Sequence, residues 1–187
     1  QYALAKGEPQ RTKVISRFPS YHGSTLGALA LTGYTPMHAP FAPMMVDQPK
    51  IPAPTCYLDR DDLSDHDRGI KYANMLEEEI IKQGPETVLG FIMEPVGGAA
   101  TGALVAPDSY YGRIREICDQ YGILLIYDEV MTGAGRTGKY FACEHWGITP
   151  DILAVSKGLA AGYAPLGAMI APDRIVGPVL DHGGFIH

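Results

Sequence analysis

Two short apolar runs, residues 87–93 and 123–127, each stop at a carboxylate, Glu94 and Asp128. Each is preceded by a stretch with the apolar spacing of an amphipathic helix. Residues 68–83 place Ile70, Ala73, Leu76, Ile80 and Ile81 on one side, and residues 108–121 do the same with Tyr110, Ile114, Ile117, Cys118 and Tyr121. Strands without polar alternation are buried on both faces, and the intervening helices are the crossovers that parallel pairing requires. The pattern predicts an α/β fold, a mostly parallel sheet with helices on both faces. Further strands are expected at 13–18 and 152–155, a short apolar run at 166–171, and a short helix at 24–31. Pro172-Asp173 opens a last helix, where proline loses no amide partner. Six prolines between Pro36 and Pro54 predict a long loop or crossover there.

At 187 residues, 46% apolar and 19% charged, the chain can bury one core. A single partial domain over residues 1–187 is expected, because it begins at Gln1 and ends in Gly-Gly-Phe-Ile-His187 without a helix end or polar tail. The 15 basic residues are outnumbered by 21 acidic ones, which argues against a surface that neutralises nucleic-acid phosphates or anionic lipid. No run is long enough to span a bilayer, and residues 1–17 lack the plan of a signal peptide. Cys56, Cys118 and Cys143 form no Cys-x-x-Cys pair, so neither a disulfide framework nor a zinc site is expected. A reducing, cytoplasmic setting fits.

In open parallel sheets the chemistry lies beyond the carboxyl ends of the strands, which directs attention to Glu94, Asp128 and the loop after Val155. That loop carries Lys157, 29 residues after Asp128. A lysine set among Ser156, Gly158, Leu159 and Ala160 can be desolvated and act as an amine nucleophile toward a carbonyl. A solvated charge, and for Asp128 a turn cap, are the plainer readings. Gly133-Ala134-Gly135-Arg136-Thr137-Gly138 matches Gly-x-Gly-x-x-Gly, and Lys139 extends it toward a P-loop. Tyr140 stands where magnesium would need Ser or Thr, and Asp128-Glu129 would repel a pyrophosphate, so a plain turn is the better reading. Arg136 between these glycines is either an anion contact or a solvated loop residue.

The chain resembles the class III aminotransferases, pyridoxal-phosphate enzymes of fold type I. The likeness is carried by Tyr21-His22-Gly23-Ser24-Thr25, Glu94-Pro95-Val96, Asp128-Glu129-Val130-Met131-Thr132-Gly133 with Gly135-Arg136-Thr137-Gly138, Pro150-Asp151-Ile152, and Ser156-Lys157-Gly158-Leu159 before Pro165-Leu166-Gly167. These occur in the family's order with similar spacing. The resemblance implies that Lys157 joins the cofactor aldehyde as a Schiff base and later carries the substrate proton. It implies that Asp128 pairs with the pyridine nitrogen, keeping the ring able to accept electrons. Tyr21 would lie against one ring face, His22 would orient its neighbours, and Glu94 would either join the polar network or buttress the Gly97-Gly98 loop.

Met131 departs from the many relatives with Gln at that position, since a thioether cannot donate to the cofactor's phenolic oxygen. Gly97-Gly98-Ala99 and Ser24 replace the Gln-Gly-Glu and Arg of ornithine-type members, which argues against ornithine or 4-aminobutyrate as substrate. The phosphate-cradling helix start is expected upstream of Gln1. A threonine reaching the partner subunit's phosphate, and the small C-terminal domain, are expected beyond His187. The implied function is transfer of an amino group from an amine or ω-amino acid to a 2-oxo acid, with pyridoxal 5′-phosphate, at a site shared within a homodimer. A decarboxylase, aminomutase or racemase on the same scaffold is the alternative, and an inactive binding module the more distant one.

Overall fold

The computed structural model of the protein describes residues 1–182; the chain end at 183–187, read above as lacking a helix end, lies outside the described residues. Six strands form one sheet: β1 (Lys13–Phe18), β2 (Lys50–Pro52), β3 (Val88–Met93), β4 (Leu124–Asp128), β5 (Ile152–Val155) and β6 (Ala168–Ile170). Their spatial order is β2-β1-β3-β4-β5-β6, parallel throughout except for the antiparallel β5–β6 pair. Six helices accompany them: α1 (Tyr2–Ala5), α2 (Leu26–Leu31), α3 (Thr35–His38), α4 (Asp65–Gln83), α5 (Asp108–Tyr121) and α6 (Asp173–Asp181). The expected mostly parallel α/β architecture is thus present.

The core lies where α4 and α5 meet the sheet. Leu76 and Ile80 of α4, Tyr110, Ile114 and Ile117 of α5, and Ile15, Phe91, Leu125 and Tyr127 of the strands are all fully buried. The residues that alternate with them along the strands, Val14, Ile92, Ile126 and Ile152, are only half-buried. The buried Ala3, Leu29 and Ile175 of α1, α2 and α6 stand outside this cluster.

Three expectations are corrected. The Pro-rich 36–54 segment is not only a loop: Pro36 sits in the first turn of α3, where its missing N–H costs nothing. Residues Lys50–Pro52 add an outer parallel strand, and Pro52 is tolerated because β2 is an edge. Ile81, placed on the buried side of the 68–83 helix, is exposed beside a fully buried Ile80, because successive helical residues diverge by about 100° and the apolar stripe passes through Ile80. That helix also begins earlier, at Asp65, because the Ser64 hydroxyl accepts the Asp67 N–H at 3.1 Å and caps its first turn.

Candidate active site

β1, β3, β4 and β5 are neighbours and run the same way, so their carboxyl ends share one edge of the sheet. Chain order reverses its direction across the sheet at β1 and β3, the usual place for a ligand crevice. The four strand ends deliver Tyr21 and His22, Glu94, Asp128 with Met131, and Lys157 to one cleft of about 350 Å3. Every site residue expected from the sequence therefore lines the same cavity. A larger hollow of about 440 Å3 lies between the Pro-rich segment and α4. Its lysines are already paired with other residues of its wall: Lys50 donates to the Ala30 and Gln48 carbonyls, and Lys82 to Glu79.

Glu94 is nearly buried and holds two loops at once. Its Oε2 accepts the Tyr21 N–H at 3.3 Å and its Oε1 accepts the Gly98 N–H at 2.9 Å. The buttress reading of Glu94 matches this geometry. A Cβ on Gly98 would stand 2.7 Å from Glu94 Oε1, so the close approach requires glycine. Beneath it, the buried Arg17 guanidinium donates to the Glu94 carbonyl at 2.6 Å and ties the ends of β1 and β3 together.

Asp128 is 8% exposed. Its Oδ1 accepts the Val130 N–H at 3.1 Å, and its Oδ2 lies 2.9 Å from His22 Nδ1. A carboxylate only accepts, so the His22 proton sits on Nδ1. His22 Nε2 is buried without a hydrogen-bond partner, and the His22 backbone is fixed by its N–H bond to Thr32 Oγ1 at 2.9 Å. Among the described residues no lysine or arginine pairs with Asp128.

Lys157 corrects an expectation. Its side chain is exposed at the cleft rim and not desolvated, because the 3-10 turn Lys157–Ala160 lifts it off the strand end. Its φ of 42° lies in the left-handed region that a β-carbon disfavours, a strain often held at working residues. Its Nζ points to Met131 Sδ at 2.7 Å.

Several residues that the sequence reading quoted without giving them a site role belong to this region. Val130, Ala99 and Ser156 also line the cleft. They are uncharged, and only their positions one or two residues beyond strand or loop landmarks could have marked them. Glu129, weighed only as a repulsive neighbour of Asp128, turns away from the cleft and is fully buried. Its carboxylate accepts from Thr132 Oγ1, Ala142 N–H and Cys143 N–H. Burial, reinforced by the Glu129 charge, pushes the Cys143 thiol up to about 12. The glycine-rich 133–138 segment is a chain of turns following Glu129, with no helix starting inside it, in keeping with the plain-turn reading. Arg136 is exposed.

Comparison with known proteins places this architecture. The Aminotransferase class-III family model matches residues 1–185. A probable aminotransferase of Mycobacterium tuberculosis is 44% identical over 97% of the chain and 39% of its own length. The putrescine–pyruvate aminotransferase of Pseudomonas aeruginosa is 41% identical over 100% of the chain and 41% of its own length. The chain thus spans about two fifths of the curated relatives it matches. Among solved structures, an omega transaminase from Pseudomonas jessenii in complex with PMP superposes with a TM-score of 0.92 at 34% identity, covering 97% of this chain and 40% of that one. With the family model matching nearly every residue and the backbone superposing over 97% of the chain, the chain belongs to the class-III aminotransferase family.

Proposed function

We propose that these residues form the central part of the cofactor-carrying domain of a pyridoxal-phosphate-dependent transaminase. It moves an amino group from an amine or ω-amino acid to a 2-oxo acid, and its site is shared within a homodimer. The observation that carries this reading is the meeting, in one cleft, of an exposed amine and a buried carboxylate that lacks a lysine or arginine partner. A buried carboxylate is costly without a positive partner. Asp128 accepts from the Val130 N–H and His22 Nδ1 but has no lysine or arginine, and a protonated ring nitrogen in the cleft would complete its partners, so the residues present fit the ring end of the cofactor. When bound, pyridoxal phosphate supplies the aldehyde and an electron-accepting ring.

This chain's residues do the rest. Lys157 Nζ would be the amine that holds the cofactor and the base that moves the substrate proton. Asp128 would hold a proton on the ring nitrogen, and His22 Nδ1–H fixes the orientation of that carboxylate. Tyr21 and Val130 both line the cleft and would help to orient the ring there. Glu94 keeps Tyr21 in place through its backbone N–H. Met131 offers no donor, so the ring's phenolic oxygen must find one elsewhere. Two relatives support the donor class: the Pseudomonas aeruginosa protein is named for putrescine, and one from Bilophila wadsworthia, 40% identical over 94% of this chain, for taurine, each with pyruvate.

Cys56, Cys118 and Cys143 are free thiols, which supports a reducing compartment such as the cytoplasm. No helix among the described residues is long and apolar enough to cross a membrane.

The test uses the full-length parent protein. Borohydride reduction after addition of pyridoxal phosphate is expected to attach the cofactor to Lys157, and a panel of amines with pyruvate is expected to yield alanine. Absence of label on Lys157, or carbon dioxide release or isomerisation without consumption of pyruvate, would overturn the reading.

A further inference from the structure

We propose that Met131 is a peroxide-sensitive site whose oxidation withdraws the Lys157 amine from use. The inference rests on the role given above to Lys157. Met131 Sδ is the one acceptor that Lys157 Nζ meets among the described residues, at 2.7 Å. Met131 is 41% exposed and lines the cleft, so a small oxidant entering there meets its side chain. A sulfide is a weak acceptor, which keeps the amine in place without capturing it. A sulfoxide oxygen is polar and accepts strongly. At this separation a new oxygen on the sulfur either takes the hydrogen bond of the ammonium or displaces the amine from its position, and in both cases the amine is less available to an aldehyde. Met131 also runs close to the Gly98 backbone, where an added Cβ would stand only 3.2 Å from Met131 Cγ.

The chemistry balances with hydrogen peroxide as oxidant. The sulfur lone pair attacks one peroxide oxygen, the S–O bond forms as the O–O bond breaks, and the sulfur loses two electrons. The proton on the transferred oxygen passes through solvent to the departing hydroxide, giving sulfoxide and one water.

The test uses the full-length parent in its cofactor-free form, treated with dilute hydrogen peroxide and digested for mass spectrometry. Formaldehyde with cyanoborohydride then reports the reactivity of each lysine, with the exposed Lys139 as internal reference. Oxidation of Met131 is expected to lower Lys157 methylation about tenfold relative to Lys139, the scale of one charge-assisted hydrogen bond. Methionine sulfoxide reductase is expected to restore it. In Met131→Leu, compared with its own untreated sample, peroxide is expected to leave Lys157 methylation unchanged even though the more exposed Met44 and Met169 oxidise. An unchanged Lys157 signal in oxidised wild type, or an equal fall in the leucine variant, overturns the inference. Borohydride labelling of untreated protein with pyridoxal phosphate keeps the two readings apart: label on Lys157 with no peroxide effect sinks only this inference, whereas absence of label sinks the role of Lys157 itself.

Discussion

At the scale of single residues, the cleft is governed by how many hydrogen bonds each carboxylate can complete. Glu94 accepts from two backbone amides on two different loops, so removing one acceptor leaves a buried N–H without a partner. Glu94→Gln keeps the size but replaces one acceptor by a donor. It is expected to weaken cofactor binding by about 1–3 kcal/mol, read by titrating the full-length apoprotein with pyridoxal phosphate. Asp128→Ala is expected to leave Lys157 open to borohydride labelling but to lower turnover by about 10²–10³, the usual loss when one group that stabilises developing charge is removed. Near-normal turnover in that variant would refute the role given to Asp128. Glu94, Asp128 and Lys157 stood out in the sequence as ionisable groups at or just past strand ends, whereas Tyr21, His22 and Met131 were marked only by the resemblance to the family. Val130 and Ala99 did not stand out, since an apolar residue near a strand end is indistinguishable from ordinary packing until the cleft is formed.

At the scale of elements, α5 joins the core to the site-bearing strands. Its Ile114 is fully buried between α4 and the sheet, so Ile114→Ala is expected to cost about 2–5 kcal/mol in denaturant unfolding while the cleft residues keep their places. Cys118 on the same helix is equally buried, and desolvation pushes its thiol from 9.0 up to about 12. Between those two values the unfolded chain has released the proton and the folded chain has not, so raising the pH through this window favours unfolding. The stability that the neutral thiol contributes is present below pH 9 and is lost toward pH 12. Melting temperatures measured from pH 8 to 11 are expected to fall less steeply in Cys118→Ala than in the wild type. Strand and helix positions were largely readable because their apolar periods differ. The α4 start depended on a Ser64 cap, and β2 on an edge position that only pairing with β1 reveals.

At the scale of the whole molecule, one region is conspicuously uncovered. All three residues of β6 are exposed, Met169 by 69%, and Tyr163 in the loop before it is 96% exposed. Contiguous apolar surface of this kind marks an interface or an aggregation liability. The 187 residues by themselves are expected to self-associate and to bind pyridoxal phosphate far more weakly than the full-length parent, checked by light scattering and by cofactor titration of both. The order of the motifs and the strand and helix periods were determined by the sequence alone, because each is a matter of residue type and local spacing. Only the tertiary structure decided that Asp128 turns inward while Glu129 turns away, that Lys157 stands exposed beside a thioether, and that Glu94 spans two loops. Those outcomes depend on strand pairing across tens of residues, and on which acceptors a buried backbone must find once the sheet has closed around it.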